Sequence, residues 1–221
     1  MIDFAKMTLA VINSREKYIQ ECVNSLNRII YPQMNEKIDI KIFKNYKKGK
    51  TDKNVNIRSI GEALNGLVEK AEGEWILFVG DDDMIARTLP FNYAVYLITY
   101  QEKHPKDFDD VVCVTGNMIL INDLDNKREH LQSCPTGLWR REYLLKNKFD
   151  EKLKRYVDTD MFAKTLSNNK KILYAATDYG YYYRQHTGNV SGNKFDKKSK
   201  ILKEIIRKNV RQKEIGGINN G

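Results

Sequence analysis

An α/β domain with a mostly parallel, mixed sheet and flanking helices is the fold that this 221-residue sequence predicts, and three observations carry it. Short β-branched apolar runs alternate with segments of helical periodicity in the first half of the chain, the order that parallel sheets require. The run Trp75-Ile76-Leu77-Phe78-Val79 is apolar at every position, as a strand buried on both faces must be. Turn residues follow the apolar runs at Asn13-Ser14-Arg15 and at Gly80-Asp81-Asp82-Asp83. In open α/β sheets those C-terminal strand ends share one rim, where ligands bind.

Each element has its own signal. Met7 to Ile12 reads as the first strand, and Ser14 is placed to cap the helix after it. In that helix Tyr18, Ile19, Cys22, Val23 and Leu26 recur at helical spacing, and Tyr31-Pro32 closes it. Ile38 to Phe43 alternates isoleucine with Asp39 and Lys41, a half-buried strand near a sheet edge. A lysine-rich polar loop runs from Lys44 to Asn56. Ile60 to Ala71 is an amphipathic helix with Leu64, Leu67, Val68 and Ala71 on one face, and Gly73 ends it before the central strand.

After the acids, Pro90 to Tyr100 reads as a helix, and Val111 to Ile121 as one or two strands about Gly116-Asn117. Pro135 to Trp139 is a tight element, Arg141 to Lys146 and Asp160 to Leu166 are helices, and Lys171 to Ala176 and Tyr179 to Gln185 are late strands. Residues 1–193 are read as one domain and 194–221 as a basic tail. Within the tail, Lys194 to Lys213 carries Ile201, Leu202, Ile205, Ile206 and Val210 at i, i+4 spacing among many lysines and arginines. Such a basic amphipathic helix either packs back onto its domain or lies on an anionic membrane or nucleic acid.

Composition narrows the function. Hydrophobic content of 41% and charged content of 30% are globular, and four prolines leave little room for extended linkers. Three cysteines without a CxxC pair argue for a reducing compartment rather than a disulfide framework. Met1 to Val11 lacks the apolar core of a signal peptide, and the uncharged run Thr88 to Gln101 is too short to span a bilayer. A cytoplasmic protein, at most peripheral to a membrane, is the expectation. Net charge +9 implies affinity for anions: nucleotides, nucleic acid or an anionic surface.

The chemistry-bearing stretch is Gly80-Asp81-Asp82-Asp83. Adjacent carboxylates repel unless a cation sits with them, and oxygen ligands point to Mg2+ or Mn2+ rather than zinc. A solvated acidic turn is the plain alternative, although such turns seldom follow a fully apolar strand. His186 and Arg184 late in the chain can add a metal ligand and a phosphate partner, or be an ordinary polar turn. Asp158 and Asp160 can be helix caps or acid–base groups.

Several of these stretches, in order, resemble the family 2-type glycosyltransferases of the GT-A fold, a Rossmann-like domain. The resemblance runs from about Met7 to Ser191. It rests on Ala10-Val11-Ile12-Asn13-Ser14-Arg15-Glu16 with Tyr18 and Cys22 to Leu26, and on Gly61 to Gly66 with Ala71 to Ile76. It continues through Gly80 to Asp83, which matches the DXD motif, and Gly137-Leu138-Trp139-Arg140-Arg141. Phe149-Asp150-Glu151 with Val157 to Asp160, and Tyr183 to His186 with Asn189-Val190-Ser191, complete it.

The resemblance implies an inverting, metal-dependent transfer of a sugar from a nucleotide-diphosphate donor to an acceptor hydroxyl. It implies Asp158 as general base with Asp160 in reserve, and Mn2+ or Mg2+ on Asp83, Asp81 and His186, Asp83 being the safest ligand. It places Asn13, Ser14, Arg15, Asn45, Asn65, Asp81, Asp82 and Arg184 around the nucleotide sugar. The acceptor is open: a glycan, a lipid-linked group or modified nucleic acid, with the basic tail on an anionic surface or a homo-oligomer supplying missing walls.

Three departures stand out. Phe43-Lys44-Asn45-Tyr46-Lys47-Lys48 replaces the family's acidic turn after the second strand, Leu64 stands where an arginine is usual, and Gly80 replaces the first acid of a D-x-D-D run. Two other classes compete: a nucleic-acid-binding domain on the same fold, and a metal-dependent nucleotidyltransferase. The sequence has no GxxxxGK[ST] phosphate loop, which counts against a P-loop enzyme.

Overall fold

The computed structural model describes residues 6–13, 16–31, 34–44, 59–122, 128–131, 136–153, 156–176 and 179–186. Six strands form the main sheet, in the order β2 (Ile38–Lys44), β1 (Met7–Asn13), β3 (Trp75–Gly80), β8 (Leu138–Arg140), β5 (Val111–Gly116) and β9 (Lys171–Ala175). β1 pairs in parallel with both β2 and β3, and β5 with β9, while β8 runs antiparallel between β3 and β5. The half-buried strand at Ile38 is the edge strand that its alternation predicts. The Pro135–Trp139 element is different from expectation: its second half belongs to a central strand, too short to show an alternating pattern.

A second, four-stranded sheet has the order β4 (Met84–Ile85), β10 (Tyr181–Gln185), β6 (Met118–Asn122) and β7 (Arg128–Leu131). The chain therefore changes sheet at Asn117, between β5 and β6, where the sequence offered one or two strands. β10 pairs antiparallel with β4, so the strand ending at His186 folds back beside the residues that follow the three aspartates.

Alternation along β3 explains its unbroken hydrophobicity. Trp75, Leu77 and Val79 enter one core with Met7, Leu9 and Val11 of β1, Cys22 and Leu26 of α1 (Glu16–Leu26), Leu89, Tyr93 and Leu97 of α4 (Leu89–Lys103), and Tyr181. Ile76 and Phe78 enter the other, with Leu64, Leu67 and Val68 of α3 (Ile60–Lys70), Tyr143 and Leu144 of α5 (Arg141–Lys146), and Val157, Met161 and Phe162 of α6 (Val157–Ser167). Ile76 and Leu77 are fully buried, each stabilising the fold by roughly 1.5–3 kcal/mol relative to exposure. A short helix, α2 (Met34–Lys37), precedes β2 and had no signal in the sequence. Among the described residues no helix is long and apolar enough to cross a membrane. The 194–213 helix, the Lys44–Asn56 loop beyond Lys44 and the 193/194 boundary lie outside the described residues.

Candidate active site

β3 delivers Gly80 to the rim, and the chain turns with Asp83 N–H donating to Gly80 O at 3.0 Å. All three aspartates are buried, Asp81 at 1% exposure and Asp82 and Asp83 at 5%. That burial separates them from a solvated acidic turn. The glycine is required by space: a Cβ at Gly80 would lie 2.5 Å from Asp83 Oδ2 and 3.0 Å from Asp82 Oδ1. The departure at position 80 therefore lets both carboxylates fold back over the strand end.

Partners come from β10. Tyr181 OH donates to Asp83 Oδ2 at 2.7 Å and accepts from Gly80 N–H at 3.2 Å. Arg184 N–H donates to Asp83 Oδ1 at 2.9 Å, and its Nε donates to the Asp82 carbonyl at 3.0 Å. His186 Nε2 donates to Asp82 Oδ2 at 2.9 Å. Arg184 and His186 are each 9% exposed, so two groups capable of positive charge share a dry enclosure with the acids. Hydrogen bonds to ionised groups in such surroundings are shorter and stronger than neutral ones.

β1 adds Asn13, at the same rim. The register pairs Ile12 with Gly80, and alternation sets Asn13 on the same sheet face as Val11 and Cys22. Asn13 is 4% exposed and its Oδ1 is buried with no hydrogen-bond partner. An unmade buried hydrogen bond costs about 1–3 kcal/mol, which makes this oxygen an acceptor awaiting a donor group. Ser14, Arg15 and Asn45 lie outside the described residues.

Asp158 and Asp160 reach the rim by another route. After α6 the chain reverses within a few residues into β9, with Asn169 at φ 54° and Lys170 N–H donating to Thr165 O at 3.1 Å. β9 runs in the direction of β3, so the first turn of α6 lies at the end of the sheet where the acids sit. Neither aspartate is the N-cap. That position belongs to Tyr156, at φ 60°, ψ 30°, whose side chain caps nothing. A non-glycine residue held in that region costs on the order of 1–3 kcal/mol, and such strain clusters at functional sites. Asp160 Oδ2 lies 2.8 Å from Lys164 Nζ, an ion pair one turn along that lacks hydrogen-bond geometry. Thr159 Oγ1 stands 3.5 Å from Asp158 Oδ1, the outer limit of a hydrogen bond.

Asn65 has both sides of its amide engaged by protein. Nδ2 donates to Phe149 O at 3.1 Å and to Glu151 Oε1 at 2.9 Å, and Oδ1 accepts from Phe149 N–H at 2.9 Å. A Cβ at Gly61 would meet Asp150 O at 2.5 Å, so α3 and the 149–151 segment touch backbone to backbone. Asn65 thus clamps the segment that leads towards Asp158. The resemblance had put it at the nucleotide sugar.

Among the described residues, no three His, Cys, Asp or Glu side chains form a group that could hold a metal ion. A resident ion caged by protein alone does not fit this donor set. An ion held by one or two protein groups plus substrate phosphates does, since Mg2+ and its relatives commonly bind that way. Sequence reasoning found the acids, Arg184 and His186, but missed Tyr181, Tyr18, Glu21 and Cys22 as parts of the site. Tyr181 opens a Tyr-Tyr-Tyr run whose alternation would have sent its first ring inward.

No protein-family model matches the sequence, and no curated protein matches it. Solved structures do. S. aureus TarS 1-349 in complex with UDP-GlcNAc aligns over 91% of this chain and 65% of its own, at 18% identity and a TM-score of 0.58. GalNAc-T7 with UDP, GalNAc and Mn2+ aligns over 83% of this chain and 44% of its own, at 10% identity and a TM-score of 0.56. Mannosyltransferase PcManGT from Pyrobaculum calidifontis with GDP-Man and Mn2+ aligns over 83% and 57%, at 12% identity and a TM-score of 0.54. The chain spans less than two thirds of each of those chains. Likeness at this identity establishes fold, and the fold is the GT-A fold to which the sequence motifs pointed.

Proposed function

We propose that the protein is a glycosyltransferase that moves a sugar from a nucleotide-diphosphate donor to an acceptor hydroxyl with inversion. One observation carries this reading: a buried Asp81–Asp83 turn, latched by Arg184 and His186, at the ligand-binding rim of a fold shared with nucleotide-sugar complexes. The orphaned Asn13 Oδ1 supports a donor site beside it, because an N–H or O–H of a nucleotide would satisfy it.

Asp82 and His186, with Asp81 and Asp83 behind them, would hold Mn2+ or Mg2+ together with the diphosphate. The bound ion would supply Lewis-acid stabilisation of the leaving diphosphate. The protein's own residues do the rest. Asp83 fixes the turn through Tyr181 and Arg184, so the acid cluster is preorganised before donor arrives. The Arg184 guanidinium adds positive charge where phosphate oxygens would lie. Asp158, in the first turn of α6, takes the proton from the acceptor hydroxyl as general base. A single carboxylate base opposite the leaving group gives inversion.

The test is a panel of nucleotide sugars with Mn2+ or Mg2+, read by thermal shift and donor hydrolysis. At least one donor should raise the melting temperature in a metal-dependent way, and silence across the panel would refute the reading.

A further inference from the structure

Helix α1 contributes more than cover for the sheet. Tyr18, Glu21, Cys22 and Ser25 stand at i, i+3, i+4 and i+7, one face of the helix, and each meets the acid turn or the strand beside it. Cys22 Sγ donates to Gly80 O at 3.4 Å, and Ser25 Oγ accepts from Ile85 N–H at 3.3 Å. The helix therefore grips both ends of the 80–85 segment. Tyr18 and Glu21 reach further, to the end of β10.

The Tyr18 ring lies 4.8 Å from the His186 ring, tilted by 35°, and 5.0 Å from the Arg184 guanidinium carbon. Lys17 Nζ sits 4.6 Å from the same ring and donates to Tyr18 OH at 3.0 Å. The Glu21 carboxylate pairs with Arg184 Nη2. Tyr18 is only 7% exposed, so the ring is an internal wall. A hydrogen bond through Nε2 fixes one atom of an imidazole rather than the tilt of its ring, and an aromatic ring packed against it constrains that tilt.

We propose that Tyr18 is a positioning residue. Its ring, seconded by the Glu21–Arg184 pair, fixes the His186 imidazole and the Arg184 guanidinium in the orientation that presents them, with Asp82, to a nucleotide diphosphate and its divalent ion. The inference rests on the donor site proposed above. Groups that orient metal ligands typically change affinity by ~10–100-fold when removed, and that is the effect expected for Tyr18→Leu on Mn2+-dependent UDP or GDP binding. Tyr18→Phe keeps the ring and should bind as wild type does.

The decisive comparison is non-additivity. In a His186→Ala background Tyr18→Leu should cost less affinity than it does in the wild type, because the part of its effect that passes through His186 is already gone and only the part through Arg184 remains. A purely structural role for Tyr18 would lower the melting temperature alike in both backgrounds and give additive losses. A second readout needs no ligand. The sequence has three histidines, so imidazole resonances of the metal-free protein can be followed singly. Tyr18→Leu should move the His186 resonances and leave the others in place.

Unmoved His186 resonances, additive losses, or equal UDP and GDP affinity in Tyr18→Leu and wild type would each overturn the proposal. A wild-type protein that binds neither nucleotide with Mn2+, yet shows the His186 shift, would instead overturn the donor-site reading and leave the Tyr18–His186 brace standing.

Discussion

The two groups of carboxylates at the rim are built on opposite plans. Asp81, Asp82 and Asp83 hang from a strand end and are nearly inaccessible, with Asp83 bonded through both oxygens and Asp82 bonded to His186. Asp158 and Asp160 sit half-buried in the first turn of a helix, where the helix dipole favours negative charge. The first plan gives carboxylates held rigidly by their hydrogen-bond partners. The second gives a carboxylate with solvent access, which a proton acceptor needs. Like-charge crowding is tolerable in the first group because cationic and hydroxyl donors close around it.

The largest expected effect tests this division at the helix. Asp158→Asn keeps shape and removes basicity, so transfer should fall by roughly 10²–10⁴-fold while nucleotide binding persists. Asp160→Asn is its control: it breaks only an i, i+4 pair with Lys164, a contact worth about 0.3–0.5 kcal/mol, and should leave turnover near wild type. Steady-state kinetics beside nucleotide titration separates the two. Full transfer by Asp158→Asn would move the base elsewhere on the rim.

The next effect lies within the buried group. Asp83→Ala strands the Tyr181 hydroxyl and the Arg184 N–H, a loss of roughly 2–4 kcal/mol in unfolding free energy, set towards the lower end by relief of charge repulsion. Asp82→Ala leaves its own carbonyl to accept from Arg184 Nε and should destabilise less, while losing Mn2+-dependent nucleotide binding. Denaturant melts and nucleotide titrations of the two variants measure the contrast. Equal stability losses would mean that Asp83 is not the structural member of the set.

Much of this division was legible in the sequence, and the exceptions have physical reasons. Trp75 to Val79 and the 60–70 helix were legible because burial on a sheet and on a helix face imposes unmistakable periods. β8 is hidden within the tight element at Pro135–Trp139 because three residues cannot display a period, and β4 has only two. Tyr18 was legible as helical and apolar, yet its role depends on His186, 168 positions later, which no local pattern encodes. Asn65 was read by its family position. Its neighbours Phe149 and Glu151 are brought in by the packing of α3 on a later turn. Gly80 looked like a missing ligand, and only the folded-back carboxylates reveal it as the space that they need.

The smallest effect at neutral pH comes from Cys22, whose thiol is buried beside the three aspartates. Burial, and then the charges of Asp83, Asp81 and Asp82, push its thiol from the ordinary 9.0 up to about 12. The unfolded chain therefore ionises first, and its loss of protons favours unfolding as pH rises. Stability from this group is intact below pH 9 and is lost towards pH 12, at about 1.4 kcal/mol per pH unit. Tyr31, raised from 10.0 to about 12 by burial and by Glu74, adds to the decline only above pH 10. Between pH 9 and 10, Cys22→Ala should flatten the alkaline limb of stability and Tyr31→Phe should not. An unchanged limb in Cys22→Ala would show that burial and the neighbouring aspartates do not hold the thiol above its ordinary range.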